Sequence, residues 1–227
     1  MYIITGASGF IGFHISRELE DKGKEVVLVD HKINISAKNN LIRLKSRKVI
    51  KPDDIFKFIQ LNQKIIKSVI HMGAISSTAE VNVKLLLINN YEYSKKLFQV
   101  CNQFGIKFIY ASSAATYGNG SEGFNDDNNL LNFMKLSPVN YYGLSKHLFD
   151  LHVLKESEIM NKVPSFPIGL KFFNVYGPFE AHKGFMSSPI PKFYDQVKKD
   201  KTIRLFKSLH PSIRDGMQSR DFIYIKD

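Results

Sequence analysis

The stretch Ile3-Ile-Thr-Gly-Ala-Ser-Gly-Phe-Ile-Gly12 decides how the rest of the chain is read. Tyr2, Ile3 and Ile4 form a short apolar run of the kind that becomes a buried strand, and Ile11, Ile15 and Leu19 then recur at helical spacing. Gly6, Gly9 and Gly12 stand between and within the two. Strand, glycine turn and helix in that order make a phosphate cradle. Gly6 permits the tight turn, Gly9 lets the backbone approach a pyrophosphate, and Gly12 lets the helix pack closely on the strand. The N–H groups and dipole at the helix start favour the anion. Such glycines alone are a weak signal, and their place directly after a strand gives them weight.

A chain of 227 residues with 44% hydrophobic content can build one large or two small cored domains. No apolar run reaches the ~18 residues of a membrane span, and no basic segment followed by an apolar one opens the chain, so neither a membrane partner nor a signal peptide is expected. The single cysteine, Cys101, sits in an apolar helical pattern, which predicts a core residue and a reducing, cytoplasmic location. Lys and Arg number 32 against 21 Asp and Glu, a formal net charge of +11. These cations are scattered, and the densest group, Lys198 to Lys201, is broken by Asp200. Without a basic stripe interleaved with aromatics, no nucleic-acid partner is expected, and the charge suits an anionic cofactor and substrate.

Glu25 to Val29 reads as a second strand ending in Asp30, where an acidic residue about 20 positions past the glycines binds an adenosine ribose. His31, Lys32, Lys38 and Arg43 follow and offer the alternative, a 2′-phosphate. On these residues alone NADP and NAD both stay open, the cations favouring the one and Asp30 the other. Val49 and Ile50 are the best third strand, Pro52 starts a helix continued by Ile55, Phe56 and Ile59, and Ser68 to His71 is a fourth strand. The small-residue loop Met72 to Thr78, a helix over residues 83–104 with Leu97, Val100, Cys101 and Phe104 inward, and a fifth strand from Lys107 to Ala111 complete the alternation. That alternation implies a doubly wound parallel sheet of the Rossmann type, with ligands beyond the carboxyl ends of its strands. Asn119 to Asn132 reads as a surface loop, Tyr142 to Glu158 as a helix, and Ser165 to Phe172 as a sixth strand. The expected division is a dinucleotide-binding domain over 1–173 and a substrate-binding region beginning at 174, where Gly and Pro punctuate the chain. A helix is predicted near Lys192 to Lys199, with strands at Ile203 to Phe206 and Phe222 to Ile225.

Tyr142 and Lys146 are four apart on a predicted helix and share a face. That spacing suits a phenol acid/base whose pKa a neighbouring ammonium lowers, while the lysine reaches the ribose of a nicotinamide cofactor. Ser113, at the end of the fifth strand, is placed to hold a substrate oxygen beside the phenol.

These stretches carry a resemblance. Residues 5–12, Tyr110-Ala-Ser-Ser-Ala-Ala-Thr-Tyr-Gly118, Tyr142-Gly-Leu-Ser-Lys-His-Leu-Phe-Asp150, Phe172-Phe-Asn-Val-Tyr-Gly-Pro178 and Arg220-Asp-Phe-Ile-Tyr224 resemble the extended short-chain dehydrogenases/reductases. Ile75-Ser-Ser-Thr78, Asn89-Asn-Tyr-Glu-Tyr-Ser-Lys95 and His182-Lys-Gly-Phe-Met-Ser187 resemble the ADP-L-glycero-D-manno-heptose 6-epimerases among them. The resemblance implies an isomerase that transiently oxidises C6″ of an ADP-sugar with bound NADP, in lipopolysaccharide core biosynthesis, and acts as a homo-oligomer. It puts Ser113, Tyr142 and Lys146 at the triad positions and Lys183 at a second acid/base. The cofactor set becomes Gly6, Ser8, Gly9, Phe10, Ile11, Gly12, Asp30, His31, Lys32, Lys38, Met72, Gly73, Ala74 and Asn89, with Tyr142 and Lys146. The substrate set becomes Ser76, Ser113, Asn174, His182 and Lys183. No metal site is expected. The segment Lys48-Val-Ile-Lys-Pro-Asp-Asp54 is shorter than the family's adenine-contacting stretch, and family members continue well past Tyr224, so the substrate-binding region is expected to be partial. A UDP-hexose 4-epimerase, another nucleotide-sugar enzyme or a non-catalytic NADP-binding module are the alternatives. Ala114 and Ala115, where a dehydratase carries acidic residues, argue against a dehydratase.

Overall fold

β1 (Tyr2–Thr5) lies inside a six-stranded, wholly parallel sheet with β2 (Val26–Val29), β3 (Val49–Ile50), β4 (Ser68–His71), β5 (Lys107–Ser113) and β6 (Ile168–Phe172), in the order β3-β2-β1-β4-β5-β6. Residues 1–31, 40–46, 48–160, 164–209 and 211–227 are described by the structure, a computed structural model. The doubly wound Rossmann sheet expected from the alternation is present. Its strand order reverses direction between β1 and β4, which opens the crevice where such sheets take ligands.

Register follows burial. Ile3 stands opposite Val27 on one side and Val69 on the other, and Val69 opposite Phe108, so these side chains share one face of the sheet. The helices Ile55–Asn62, Tyr93–Gln103 and Tyr141–Met160 cover that face through Ile55, Ile59, Leu97, Phe98, Cys101, Phe149 and Val153. Cys101 is a core residue, as its pattern predicted, and burial pushes its thiol up to about 12. Ile4, Leu28 and Ile70 point to the opposite face, which the first helix, Phe10–Asp21, covers.

Four expectations need correction. The helix read over 83–104 is not uniform: Val83–Leu86 is α-helical, Leu87–Glu92 winds as a π-helix, and Tyr93–Gln103 is α-helical again. The surface loop after Asn119 contains the start of a short helix, Leu130–Lys135, capped by the Asn129 side chain on the Asn132 N–H. β5 runs two residues past Ala111, through Ser113, because Ala111, Ser112 and Ser113 still pair with β6. No strand forms at Ile203 to Phe206, where the chain runs without regular structure and Leu205 and Phe206 are exposed.

The chain divides into two compact units, Met1–Phe172 and Phe173–Asp227. The second unit holds β7 (Asn174–Tyr176) paired in parallel with β8 (Phe222–Tyr224), a 3-10 turn over Ala181–Met186, and the helix Pro189–Asp200. Among the described residues, no helix is long and apolar enough to cross a membrane and no group of His, Cys, Asp or Glu could hold a metal.

Candidate active site

The glycine turn closes the way its residues require. Gly6 has φ +64°, and a Cβ there would come within 2.7 Å of the Gly73 backbone, so the ends of β1 and β4 touch through two glycines. Gly9, which has no side chain to cap with, begins the first helix, and Phe13 N donates to Gly9 O at 2.9 Å. A helix that starts on a glycine turn at the end of a strand is the arrangement a phosphate completes, so these residues fit a dinucleotide. Phe10 is buried beneath the turn and Ile11 half-buried.

Asp30 is occupied. Its Oδ2 accepts from Ser8 N at 2.8 Å and Ser8 Oγ at 2.6 Å, and its Oδ1 from His31 N at 2.8 Å. The carboxylate therefore fastens β2 to the glycine turn. Arg43 is exposed, and Lys32 and Lys38 lie outside the described residues.

The loop after β4 is held from two sides. Gly73 N donates to Thr5 Oγ1 at 3.0 Å, while Met72 N donates to Thr5 O at 3.3 Å. Asn90, fully buried, accepts from Ile75 N at 2.8 Å and donates to Ile75 O and to Ser145 Oγ, both at 3.0 Å. Of the adjacent asparagines, Asn89 instead donates along its own helix to Leu85 O at 2.8 Å. Ala74 is half-buried and Ser76 exposed in this loop.

Asn140 caps the helix Tyr141–Met160 by accepting from Gly143 N at 2.7 Å. Gly143 packs against the turn after β5, where a Cβ would lie 2.7 Å from Ala115 O. That close approach brings Tyr142 beside Ser113, whose hydroxyl favours the phenolate. Ser113 Oγ also accepts from Ala115 N at 3.1 Å. Burial raises the pKa of Tyr142, the Ser113 bond opposes that rise, and the Asp150 charge adds to it. The phenol is thus neutral, and the lowering expected from an adjacent ammonium is not found. Burial is the larger effect on the phenol, and Lys146 Nζ donates to Ala111 O at 2.9 Å. Lys146 is nearly enclosed, and burial lowers its pKa to about 8, with Asp150 opposing. Ser113, Tyr142 and Lys146 therefore form one cluster able to move a proton to or from an oxygen.

Sequence reasoning missed Asp150 and Lys171. Asp150 Oδ2 accepts from Ser112 Oγ and Lys171 Nζ, both at 2.7 Å. A lysine inside an apolar strand was the available signal, since such a residue needs a buried partner. In the second unit, Lys183 Nζ lies 3.4 Å from Glu180 Oε2. Burial lowers the Lys183 pKa, and Glu180 opposes it. Burial alone would raise Glu180, but Ser188, Gly177 and Lys183 hold its carboxyl below the usual range. His182 donates Nδ1–H to Phe179 O at 3.0 Å, and Asn174 Nδ2 donates to Asp221 O at 2.9 Å.

A Rossmann sheet with a glycine cradle at its switch point and a Ser–Tyr–Lys cluster on the neighbouring helix defines the short-chain dehydrogenase/reductase class. The chain belongs to the NAD dependent epimerase/dehydratase family, whose family model matches residues 2–227. It is 43% identical over 233 aligned residues to the ADP-L-glycero-D-manno-heptose-6-epimerase of Nitratidesulfovibrio vulgaris, an alignment covering 100% of this chain and 69% of that one. Identity to the enzyme of that name from Fusobacterium nucleatum is 40%, covering 100% and 68%. The crystal structure of the Helicobacter pylori ADP-L-glycero-D-manno-heptose-6-epimerase superposes with a TM-score of 0.74 at 28% identity, covering 99% of this chain and 68% of that one.

Proposed function

We propose that this chain carries the cofactor-binding and catalytic part of a nucleotide-sugar epimerase that interconverts the C6″ epimers of ADP-glycero-manno-heptose. The observation that carries the reading is the 43% identity, spread over the whole chain, to an enzyme of that name. Residues 173–227 belong in this reading to a substrate-binding region, with Asn174, His182 and Lys183 toward the sugar nucleotide. The enzyme works as a homo-oligomer in the cytoplasm, and its product serves lipopolysaccharide core assembly.

The glycine turn and the first helix start hold the pyrophosphate, and Met72 to Ala74 line the crevice beside them. NADP is favoured over NAD because Asp30 already accepts three hydrogen bonds and is poorly disposed to take a ribose hydroxyl. Lys32, Lys38 and Arg43 supply charge for a 2′-phosphate. When bound, the nicotinamide supplies a reversible hydride acceptor. Once its own proton has passed to solvent, Tyr142 takes the proton of the C6″ hydroxyl and later returns it to the carbonyl oxygen, while Ser113 holds that oxygen. Lys146, on the same helix face, reaches the ribose. A phenol fixed on a helix serves one carbonyl orientation well, so Lys183 serves the other.

Each purified epimer, incubated with the chain and NADP and followed by proton NMR, is expected to give a mixture of both. A chain that leaves each epimer unchanged overturns the epimerase reading. Mass spectrometry of nucleotide released on denaturation identifies the cofactor, and NAD in place of NADP overturns the phosphate assignment.

A further inference from the structure

A buried ion pair lies behind the catalytic cluster and takes no part in the proton transfers above. Tyr142, Lys146 and Asp150 follow one another at four-residue intervals on one helix face. Besides the bonds from Ser112 and Lys171 to its Oδ2, Asp150 keeps a second buried oxygen, Oδ1, for which no hydrogen bond is found among the described residues. Lys171 Nζ also donates to Thr116 Oγ1 at 2.6 Å, and Thr116 Oγ1 donates to the Ser113 carbonyl at 2.7 Å. The same ammonium lies 5.0 Å from the Tyr117 ring centre and 4.7 Å from that of Phe133. Asp150 thus reaches Ser113 twice, through the neighbouring Ser112 and through Lys171 and Thr116.

Packing alone does not account for charges here, because apolar residues of similar volume usually serve a core as well as a buried ion pair does. We propose that Asp150 is a positioning residue of the catalytic site: with Lys171 it pins the Ser113 turn to the catalytic helix and fixes a negative charge behind Lys146. The proposal rests on the roles given above to Ser113, Tyr142 and Lys146. Its electrostatic part acts on Lys146, which burial drives toward the neutral form and Asp150 draws back toward the ammonium. The titratable and charged groups around this centre are His71 at the end of β4, Tyr110 on β5, Tyr117 in the turn after β5, Lys171 on β6, and Tyr142 and His147 on the helix itself.

The test is an NMR titration of the chain labelled with 13C at lysine Cε, with the Lys146 signal identified by its loss in Lys146→Arg. Asp150→Asn keeps the shape and an acceptor for Ser112 but removes the charge, and it is expected to lower the Lys146 midpoint by about one unit. Lys171→Met removes the partner and keeps the charge, so the midpoint is expected to hold or rise. A role in packing alone moves both variants the same way. Equal falls in the two, or no fall in Asp150→Asn, overturn the proposal. Should Asp150→Asn not fold, a fall in Lys171→Met alone overturns it, and a held or raised midpoint there supports it. The titration uses no substrate, so an inactive chain that shows these shifts counts against the epimerase reading and leaves this one standing.

Discussion

Acidification should destabilise the fold through His71, and the size of the effect follows from its surroundings. His71 is almost fully enclosed at the end of β4, with Nδ1 2.6 Å from Thr5 Oγ1 and Nε2 2.9 Å from Ser94 Oγ. Ser94 spends its own proton on Asn90 O at 2.7 Å, so it accepts from Nε2–H. Thr5 Oγ1 accepts from Gly73 N and gives its proton to Nδ1. The ring is therefore neutral in one tautomer, and a second proton would leave two donors facing each other across the Thr5 contact. Burial first, and the Lys146 charge second, lower its pKa from 6.5 to about 3. The sign follows from proton uptake: between these values the unfolded chain binds a proton that the folded chain refuses. This stability is fully present above pH 6.5 and is lost as pH falls toward 3, at about 1.4 kcal/mol per unit. From pH 7.5 to 5.0 the loss is on the order of 2 kcal/mol. Urea unfolding of the wild type and His71→Gln at both pH values measures it. His147 and His152, also lowered by burial, are common to both proteins and cancel. Equal losses in the two proteins would refute the reasoning.

Three further outcomes are expected. Tyr142→Phe should keep its melting temperature and nucleotide affinity while losing ~10²–10⁴-fold in turnover, and a rate above about half of wild type removes Tyr142 from its role. Gly6→Ala places a Cβ at positive φ against Gly73 and should cost more than about 1 kcal/mol in denaturant unfolding. It should also weaken NADP binding by calorimetry, and unchanged affinity would separate the turn from the cofactor. Lys183→Met should bind the ADP-sugar yet lose epimerisation of at least one epimer, whereas an unchanged maximal rate with a raised Michaelis constant would make Lys183 a binding residue only.

Local signals carried most of the architecture. β4 was legible to the residue because Ser68 to His71 runs directly into the small-residue loop Met72 to Thr78, and Tyr142 with Lys146 announced themselves by spacing. What depends on partners was not legible. Ile203 to Phe206 has strand chemistry but pairs with no strand among the described residues, while Asn174–Tyr176, only three residues long, becomes a strand because β8 lies beside it. Asp150 and Lys171 are 21 positions apart, and only the β5–β6 pairing reveals their ion pair. The raised pKa of Tyr142 was not legible for a similar reason, since helical spacing sets which face a phenol shares but not how deeply the fold buries it.

The π-helical winding at Leu87–Glu92 sets a rule for how this gene can change length. Each such turn holds more residues than an α-helical one needs, and segments of this kind persist mainly where function uses them. Deleting one codon here would let the helix run regularly and gain local order, while turning everything upstream by about 100° against everything downstream. Leu86 would leave the core, or Asn90 would leave Ile75 and Ser145. The outer face, where Leu85 and Ile88 are exposed, can drift in identity, but insertions and deletions across these six positions are closed to a lineage that still needs the enzyme.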